Sequence, residues 1–262
     1  MTASHPLHLL LPEFQSFMVV VSRTGGIVAA LPMLSGRTVP PKVKVALVLM
    51  LSLALAPVIH FPPIPPDASA MTAGLVSEAL NGFVIGLAVR LLFSALEIAR
   101  EIAGAQMGFS MSQLLDPLTS QSAPMVGQFF TLIATLVFLS LNAHMMVVSA
   151  IVSSYESIPP FGATLSPAVG EEVLRLSQHM FVVALQLTGP ILVTVLLINL
   201  LLAMLGRAVS QVNVFVLSFP LTIAAGLLVL GLALPFMVSL LEREFIGLHE
   251  TIEGLLGVLG HG

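Results

Sequence analysis

Long stretches without a charged residue are the feature that most constrains this chain. The stretches Met125–Val152 and Val214–Leu241 contain no Asp, Glu, Lys or Arg, and apolar runs of this length are typical of helices that cross a bilayer. Only 8% of the residues are charged and 57% are hydrophobic, whereas soluble domains carry about 25% charged residues. The sequence therefore predicts a polytopic membrane protein.

The distribution of the apolar stretches predicts an all-α protein with about six long helices. A helix satisfies its backbone hydrogen-bonding groups within one segment, and these stretches are too long for barrel strands. The predicted helices are roughly Phe14–Leu34, Val45–Ile59, Met71–Met107, Met125–Val152, Glu171–Leu205 and Val214–Leu241. The tail Glu242–Gly262 is mildly amphipathic, and we expect it to form a separate final helix beside the bundle.

The residues that enzymes and metal sites need are scarce. The chain contains no Cys, which excludes disulfides, thiolate catalysis and Cys-based metal sites. Its seven His residues show no metal-ligand spacing, and no basic cluster resembles a nucleic-acid-binding surface. We therefore expect no metal, no cofactor and no nucleic-acid partner.

A row of charges interrupts the third apolar run, at Arg90, Glu97, Arg100 and Glu101. At 100° per residue these side chains share one face of a helix, and each charge at mid-membrane depth costs a few kcal/mol. Because the signs alternate, we predict charge pairs between helices or between subunits. A proton or ion relay and the aqueous end of a long helix remain as alternatives at this point.

The same run carries two pairs of glycines at a spacing of four, Gly82 with Gly86 and Gly104 with Gly108. Small residues at this spacing let two helix backbones approach each other closely. We predict that Gly82, Gly86 and Gly104 mark helix-packing surfaces, without knowing which helix each one meets.

The connection Gln106–Pro124 is long for a loop of a helix bundle and is partly apolar. Its apolar residues include Met107, Phe109, Met111 and Leu114, which a solvated loop would not favour. Non-helical backbone at membrane depth occurs only inside protein or along a cavity. The pattern favours either a re-entrant segment that fills a pore or a loop folded over the end of the bundle.

An intramembrane serine protease is an alternative from a different functional class. Gly108-Phe109-Ser110 fits the loose Gly-x-Ser pattern, and Asn142 and His144 follow later in the chain. A His base within hydrogen-bond reach would activate the Ser hydroxyl. The pattern is common by chance, and no residue is evident that would orient His144. We therefore do not expect an enzyme.

Four stretches carry a resemblance to a known family: Ala103–Ser110, Asp116-Pro117, Leu139–His144 and Gln211–Leu221. They resemble the flagellar biosynthetic protein FliR family, a subunit of type III secretion export gates, and the resemblance covers essentially the whole chain. The last stretch is the most specific and favours the flagellar branch. The paralogous subunit of virulence secretion systems is the alternative, and a small-solute transporter is disfavoured because no internal repeat is evident.

The resemblance implies a structural subunit rather than an enzyme. It implies assembly with FliP-like and FliQ-like subunits and an FlhB-like subunit in the bacterial inner membrane at the flagellar basal body. Exported flagellar proteins would pass unfolded through the gate, which in this family is raised toward the periplasm.

The resemblance also implies an internal organisation. Residues 1–160 would form a FliP-like part that includes a pore plug at 106–124. Residues 161–262 would form a FliQ-like helical hairpin and C-terminal tail. The predicted plug residues are Met107, Gly108, Phe109, Met111 and Leu114.

Overall fold

The computed structural model describes residues 7–32, 39–59, 67–109, 125–162, 166–209 and 213–260. Within these ranges the chain is helical and contains no strand, which confirms the all-α prediction. The helices of the described residues are α1 Leu7–Ala30, α2 Pro41–Leu55, α3 Ala68–Gln106, α4 Met125–Ser140, α5 Ala143–Ser157, α6 Pro167–Ala208 and α7 Val214–Gly260.

The predicted fourth helix is two helices. The break lies at Leu141 and Asn142, and α4 and α5 meet there at an angle of 62°. Asn142 has φ 52°, a left-handed conformation that ends a helix and that Asn adopts more readily than most residues. The prediction of one helix failed because the apolar run continues without a charge or proline through the break.

The predicted separate tail helix is also wrong, because α7 continues without interruption from Val214 to Gly260. Leu241, Phe245, Leu248 and Ile252 are all buried. Their spacing of three or four residues carries one apolar stripe through the point at which the charged residues begin. The stripe holds the helix together although its outer face becomes polar.

In the part of the chain that the structure describes, three helices are long and apolar enough to cross a membrane: α3, α6 and the part of α7 that begins at Val216. The bent pair formed by α4 and α5 passes the same test if its two helices are counted as one span. At about 1.5 Å per residue, the 39 residues of α3 and the 42 of α6 extend about 58 Å and 63 Å. A hydrocarbon core is only about 30 Å thick, so both helices are longer than a simple span requires.

The chain divides into two compact units, each built from separate pieces of sequence. Unit 1 comprises residues 1–91, 144–176 and 247–262, and unit 2 comprises residues 92–143 and 177–246. The predicted division into FliP-like residues 1–160 and FliQ-like residues 161–262 concerns likeness to other subunits. Contacts within this chain do not test it, and it stays a prediction.

Unit 1 is built around a close crossing of α1 and α3. A methyl group added at Gly82 would lie 2.0 Å from the carbonyl oxygen of Arg23, and one added at Gly26 would lie 2.2 Å from that of Ala79. At Gly86 the corresponding distance to a backbone oxygen of α1 is 2.7 Å. Only glycine permits this separation, because the contacts are with backbone that cannot move aside. Helix α1 also packs along α2.

Unit 2 has an aromatic core. The rings of Phe93, Phe138 and Phe245 lie within 5.5–5.7 Å of one another, centroid to centroid, and the pairs are tilted or edge-on. Such arrangements are more favourable than face-to-face stacking. They join α3, α4 and α7 within this unit.

Candidate functional site

Helix α3 ends at the start of the predicted plug segment, and Gly108 explains where it ends. Gly108 has φ 88°, which glycine adopts without the steric cost that other residues meet. Its N–H donates to the carbonyl of Ala105 at 3.1 Å, and the N–H of Phe109 donates to that of Gly104 at 3.0 Å. These two bonds form a Schellman motif, which satisfies carbonyl groups at the helix end.

The side chain of Met107 is buried inside unit 2. Its side chain is 0% exposed, and a methyl group at Gly226 of α7 would lie 2.7 Å from its Cε. Gly226 therefore provides the space that Met107 fills. Met107 therefore packs against α7 at the start of the segment. Contacts within this chain do not test whether Met107 belongs to a pore plug, and that role stays a prediction.

The rest of the predicted plug is described only in part. Phe109 is half-buried at the end of the described range. Met111 and Leu114 lie outside the described residues, as does Ser110, the proposed nucleophile of the protease alternative. The structure thus describes how the segment begins, and the pore-facing role of its later residues stays a prediction.

The charged row on α3 is exposed except for Arg100, which is half-buried. Arg100 Nε lies 3.6 Å from Glu101 Oε1, so this contact joins neighbours on one helix. The aliphatic part of Arg100 lies 3.4 Å from the position of a methyl group at Gly127 of α4. Among the described residues neither Arg90 nor Glu97 has an ion-pair partner. Pairing with other subunits stays a prediction for these residues.

A buried ion pair in unit 1 is the most developed polar site among the described residues. Arg23 Nε lies 2.5 Å from Glu78 Oε2, and both side chains are 0% exposed. Arg23 Nη1 donates to the carbonyl oxygens of Ser154 at 2.8 Å and Ile158 at 3.0 Å. Arg23 Cζ also lies 4.0 Å from the ring centroid of Tyr155, a cation–π contact. One arginine therefore joins α1, α3 and α5.

Glu78 makes a second contact that extends the site. Its Oε1 accepts a hydrogen bond of 2.8 Å from the N–H of Phe161, in the connection between α5 and α6. The sequence analysis did not predict this pair. Arg23 interrupts the first apolar run and Glu78 lies in the early part of the third, so nothing local links the two residues. Each charge inside an apolar run needs a partner, and this was the available signal. The sequence separation of 55 residues conceals which two charges are partners.

Unit 2 carries a polar contact between helices, a hydrogen bond that joins His179 of α6 and Glu244 of α7. The Nε2 and Oε2 atoms are 2.7 Å apart, and His179 is more than half exposed. Among the described residues no group of three or more His, Asp or Glu side chains could hold a metal ion. The contact between His179 and Glu244 joins α6 to α7 within this unit.

Helix α6 presents a broad apolar face that no described residue of unit 2 covers. Leu196 is 68% exposed, and its neighbours are exposed as well. Contiguous apolar surface of this kind marks contact with lipid or with other protein. The residues are Leu185, Val193, Leu196, Leu197, Leu200, Leu201 and Met204.

Comparison with known proteins agrees with this architecture. Residues 14–248 match the family described as bacterial export proteins, family 1. The chain is 27% identical to the flagellar biosynthetic protein FliR of Escherichia coli (strain K12) over 237 residues, which cover 90% of this chain and 91% of the relative. For FliR of Bacillus subtilis (strain 168) the identity is 29% over 260 residues, with coverage of 97% and 99%.

A third relative, FliR of Aquifex aeolicus (strain VF5), is 30% identical over 216 residues, with coverage of 82% of this chain and 83% of the relative. The resemblance seen in Ala103–Ser110 and Gln211–Leu221 is thereby confirmed. The matched region reaches from α1 to α7, so the similarity concerns the whole helical architecture and not one motif. The chain belongs to the bacterial export proteins of family 1, together with the flagellar FliR proteins.

Proposed function

We propose that this chain is a subunit of the flagellar type III export gate and forms part of the pore through which unfolded flagellar proteins are exported. The family match over residues 14–248 carries this proposal. The relatives described above are named as flagellar biosynthetic proteins, which favours the flagellar system over a virulence secretion system.

The proposed partners are FliP-like, FliQ-like and FlhB-like subunits. Two features support contact with other subunits. The apolar face of α6 is too extensive for a soluble surface, and Arg90 and Glu97 are exposed charges on a helix apolar enough to span a membrane. A charge in such a helix is stable when a neighbouring chain supplies the opposite charge.

The proposed location is the bacterial inner membrane at the flagellar basal body, with the gate raised toward the periplasm. The helix lengths support this position. Helices α3 and α6 exceed the thickness of the hydrocarbon core by about 28 Å and 33 Å, and tilt alone accounts for only part of that excess. The remainder of each helix would pack against other subunits outside the bilayer.

The segment 106–124 is the proposed plug. Met107 and the helix end at Gly108 fix its start to unit 2, and Phe109, Met111 and Leu114 would exclude water from the pore. Shortening the segment between Gly108 and Leu115 should leave the gate assembled and make it conduct small ions in a planar bilayer. An assembled, shortened gate without added conductance would mean that another element closes the pore.

We propose no catalytic role for the chain. The gate subunit needs only to assemble and to form the channel, and the chemistry that drives export resides elsewhere in the apparatus. His144, the base that a protease would use, is exposed at the start of α5 and has no hydrogen-bond partner among the described residues.

The proposed function is tested by deleting the gene and measuring export of the filament protein into the medium. We expect the deletion to abolish export and swimming, and a plasmid copy of the chain to restore both. The chain should also copurify with its FliP-like and FliQ-like partners as one discrete particle. Normal filament export in the deletion strain would overturn the proposal.

A further inference from the structure

The C-terminal end of α5 is buried on one side: Ser154 and Ile158 are 0% exposed, whereas Glu156 and Ser157 are exposed. The carbonyl groups on the buried side cannot rely on water. Arg23 Nη1 reaches the carbonyls of Ser154 and Ile158, and Ile158 is 0% exposed. A cation at this position also opposes the negative end of the helix dipole. Arg23 therefore caps α5, although it belongs to α1.

Glu78 neutralises the charge of Arg23 in this buried site. A buried guanidinium without a counter-charge is strongly unfavourable, and Glu78 supplies the charge at 2.5 Å. The second carboxylate oxygen is left to accept the N–H of Phe161. One carboxylate thus connects the capped helix end with the chain that leaves it.

Phe161 is held in a conformation that it would not choose alone. Its φ is 64°, and a bulky residue in the left-handed region is strained. Its ring lies against α3, where a methyl group at Gly74 would be 2.3 Å from the ring carbons. The hydrogen bond that the Phe161 N–H donates to Glu78 and the space at Gly74 together maintain the turn.

We propose that Arg23 and Glu78 form a clamp that positions the junction between α5 and α6. The clamp sets the direction in which residues 158–162 leave α5. Its consequence rests on the proposed function: α6 carries the apolar face that other gate subunits would contact, so a misdirected junction would impair gate assembly.

The direct test is hydrogen exchange at the Phe161 amide in the full chain in lipid nanodiscs. In Glu78→Leu the amide loses its acceptor, and we expect its exchange to be faster by about tenfold or more. Glu78→Gln retains an oxygen acceptor and should change that rate less. Glu253→Gln, which alters an exposed carboxylate on α7, is the matched control and should leave the rate unchanged.

A double variant separates positioning from stability. In Arg23→Met with Glu78→Leu no buried charge remains unpaired, so thermal stability should recover relative to either single change. The amide of Phe161 still lacks its acceptor, so exchange should stay fast and copurification with gate subunits should stay low. Full recovery of assembly in the double variant would overturn the clamp, since the pair would then contribute stability alone.

The exchange measurement needs no export and no partner. If wild-type chain fails to assemble with gate subunits while Glu78→Leu accelerates exchange at Phe161, the proposed function fails and the clamp stands. If wild-type chain assembles and Glu78→Leu leaves the exchange rate unchanged, the clamp fails and the proposed function stands.

Discussion

Replacing Gly82 with alanine should loosen the crossing of α1 and α3. The added carbon would lie 2.0 Å from the carbonyl oxygen of Arg23, whereas nonbonded atoms prefer about 3.5 Å. The helices must therefore separate by about 1.5 Å, since neither partner is a side chain that can rotate. Overpacking costs about 1–3 kcal/mol, and a backbone contact belongs at the upper end of that range.

The higher helix propensity of alanine offsets part of this overpacking cost. Alanine is favoured over glycine inside a helix by about 1 kcal/mol, so the net destabilisation from Gly82→Ala is about 2 kcal/mol. At about 2–4 °C per kcal/mol for a chain of this size, the midpoint of thermal unfolding should fall by about 4–8 °C. Circular dichroism at the helical band measures this midpoint in detergent.

The matched control is Gly254→Ala on α7 in the same unit. A methyl group at Gly254 meets nothing within 4 Å, so the propensity gain is not offset and the midpoint should rise or stay unchanged. Equal midpoints for Gly82→Ala and Gly254→Ala would refute the reasoning, because they would mean that the crossing tolerates a side chain.

Three further predictions concern the segment after α3 and the charged face. Gly108→Ala should lower the unfolding midpoint by about 2–4 °C, because a left-handed conformation costs an L-residue about 1 kcal/mol; an unchanged midpoint would contradict the helix-end assignment. Glu97→Gln should reduce copurification with gate subunits without changing the folding of the chain, and normal assembly with lost proton-driven export would favour the relay. Ser110→Ala should leave filament export intact, and complete loss at normal protein level would support the protease.

The sequence was most informative where the physical constraint is local. The absence of charge from Val214–Leu241 predicts a helix in an apolar environment regardless of what surrounds it. The spacing of Gly82 and Gly86 likewise predicts a packing surface, because a side chain would prevent a close approach on that face. Neither inference requires knowledge of the partner helix.

Features that depend on distant residues could not be predicted in this way. Nothing in the sequence distinguishes Glu78 from other acidic residues until Arg23 is known to lie 2.5 Å away. The burial of Met107 also depends on a distant residue, because its side chain fills the space that the missing side chain of Gly226 leaves. The break at Asn142 could not be predicted, because the left-handed conformation of one residue does not change the hydropathy profile of the sequence.

The central claim is that unfolded flagellar proteins pass along this chain, and crosslinking from Phe109 tests it most directly. A photoreactive amino acid would replace Phe109 in cells that express a filament protein fused to a domain too stable to unfold. The fusion stalls in the gate, so illumination should crosslink this chain to the stalled protein and not to its unfused, freely exported form. Crosslinks that never include the stalled protein, in a gate that assembles and exports normally, would contradict the account.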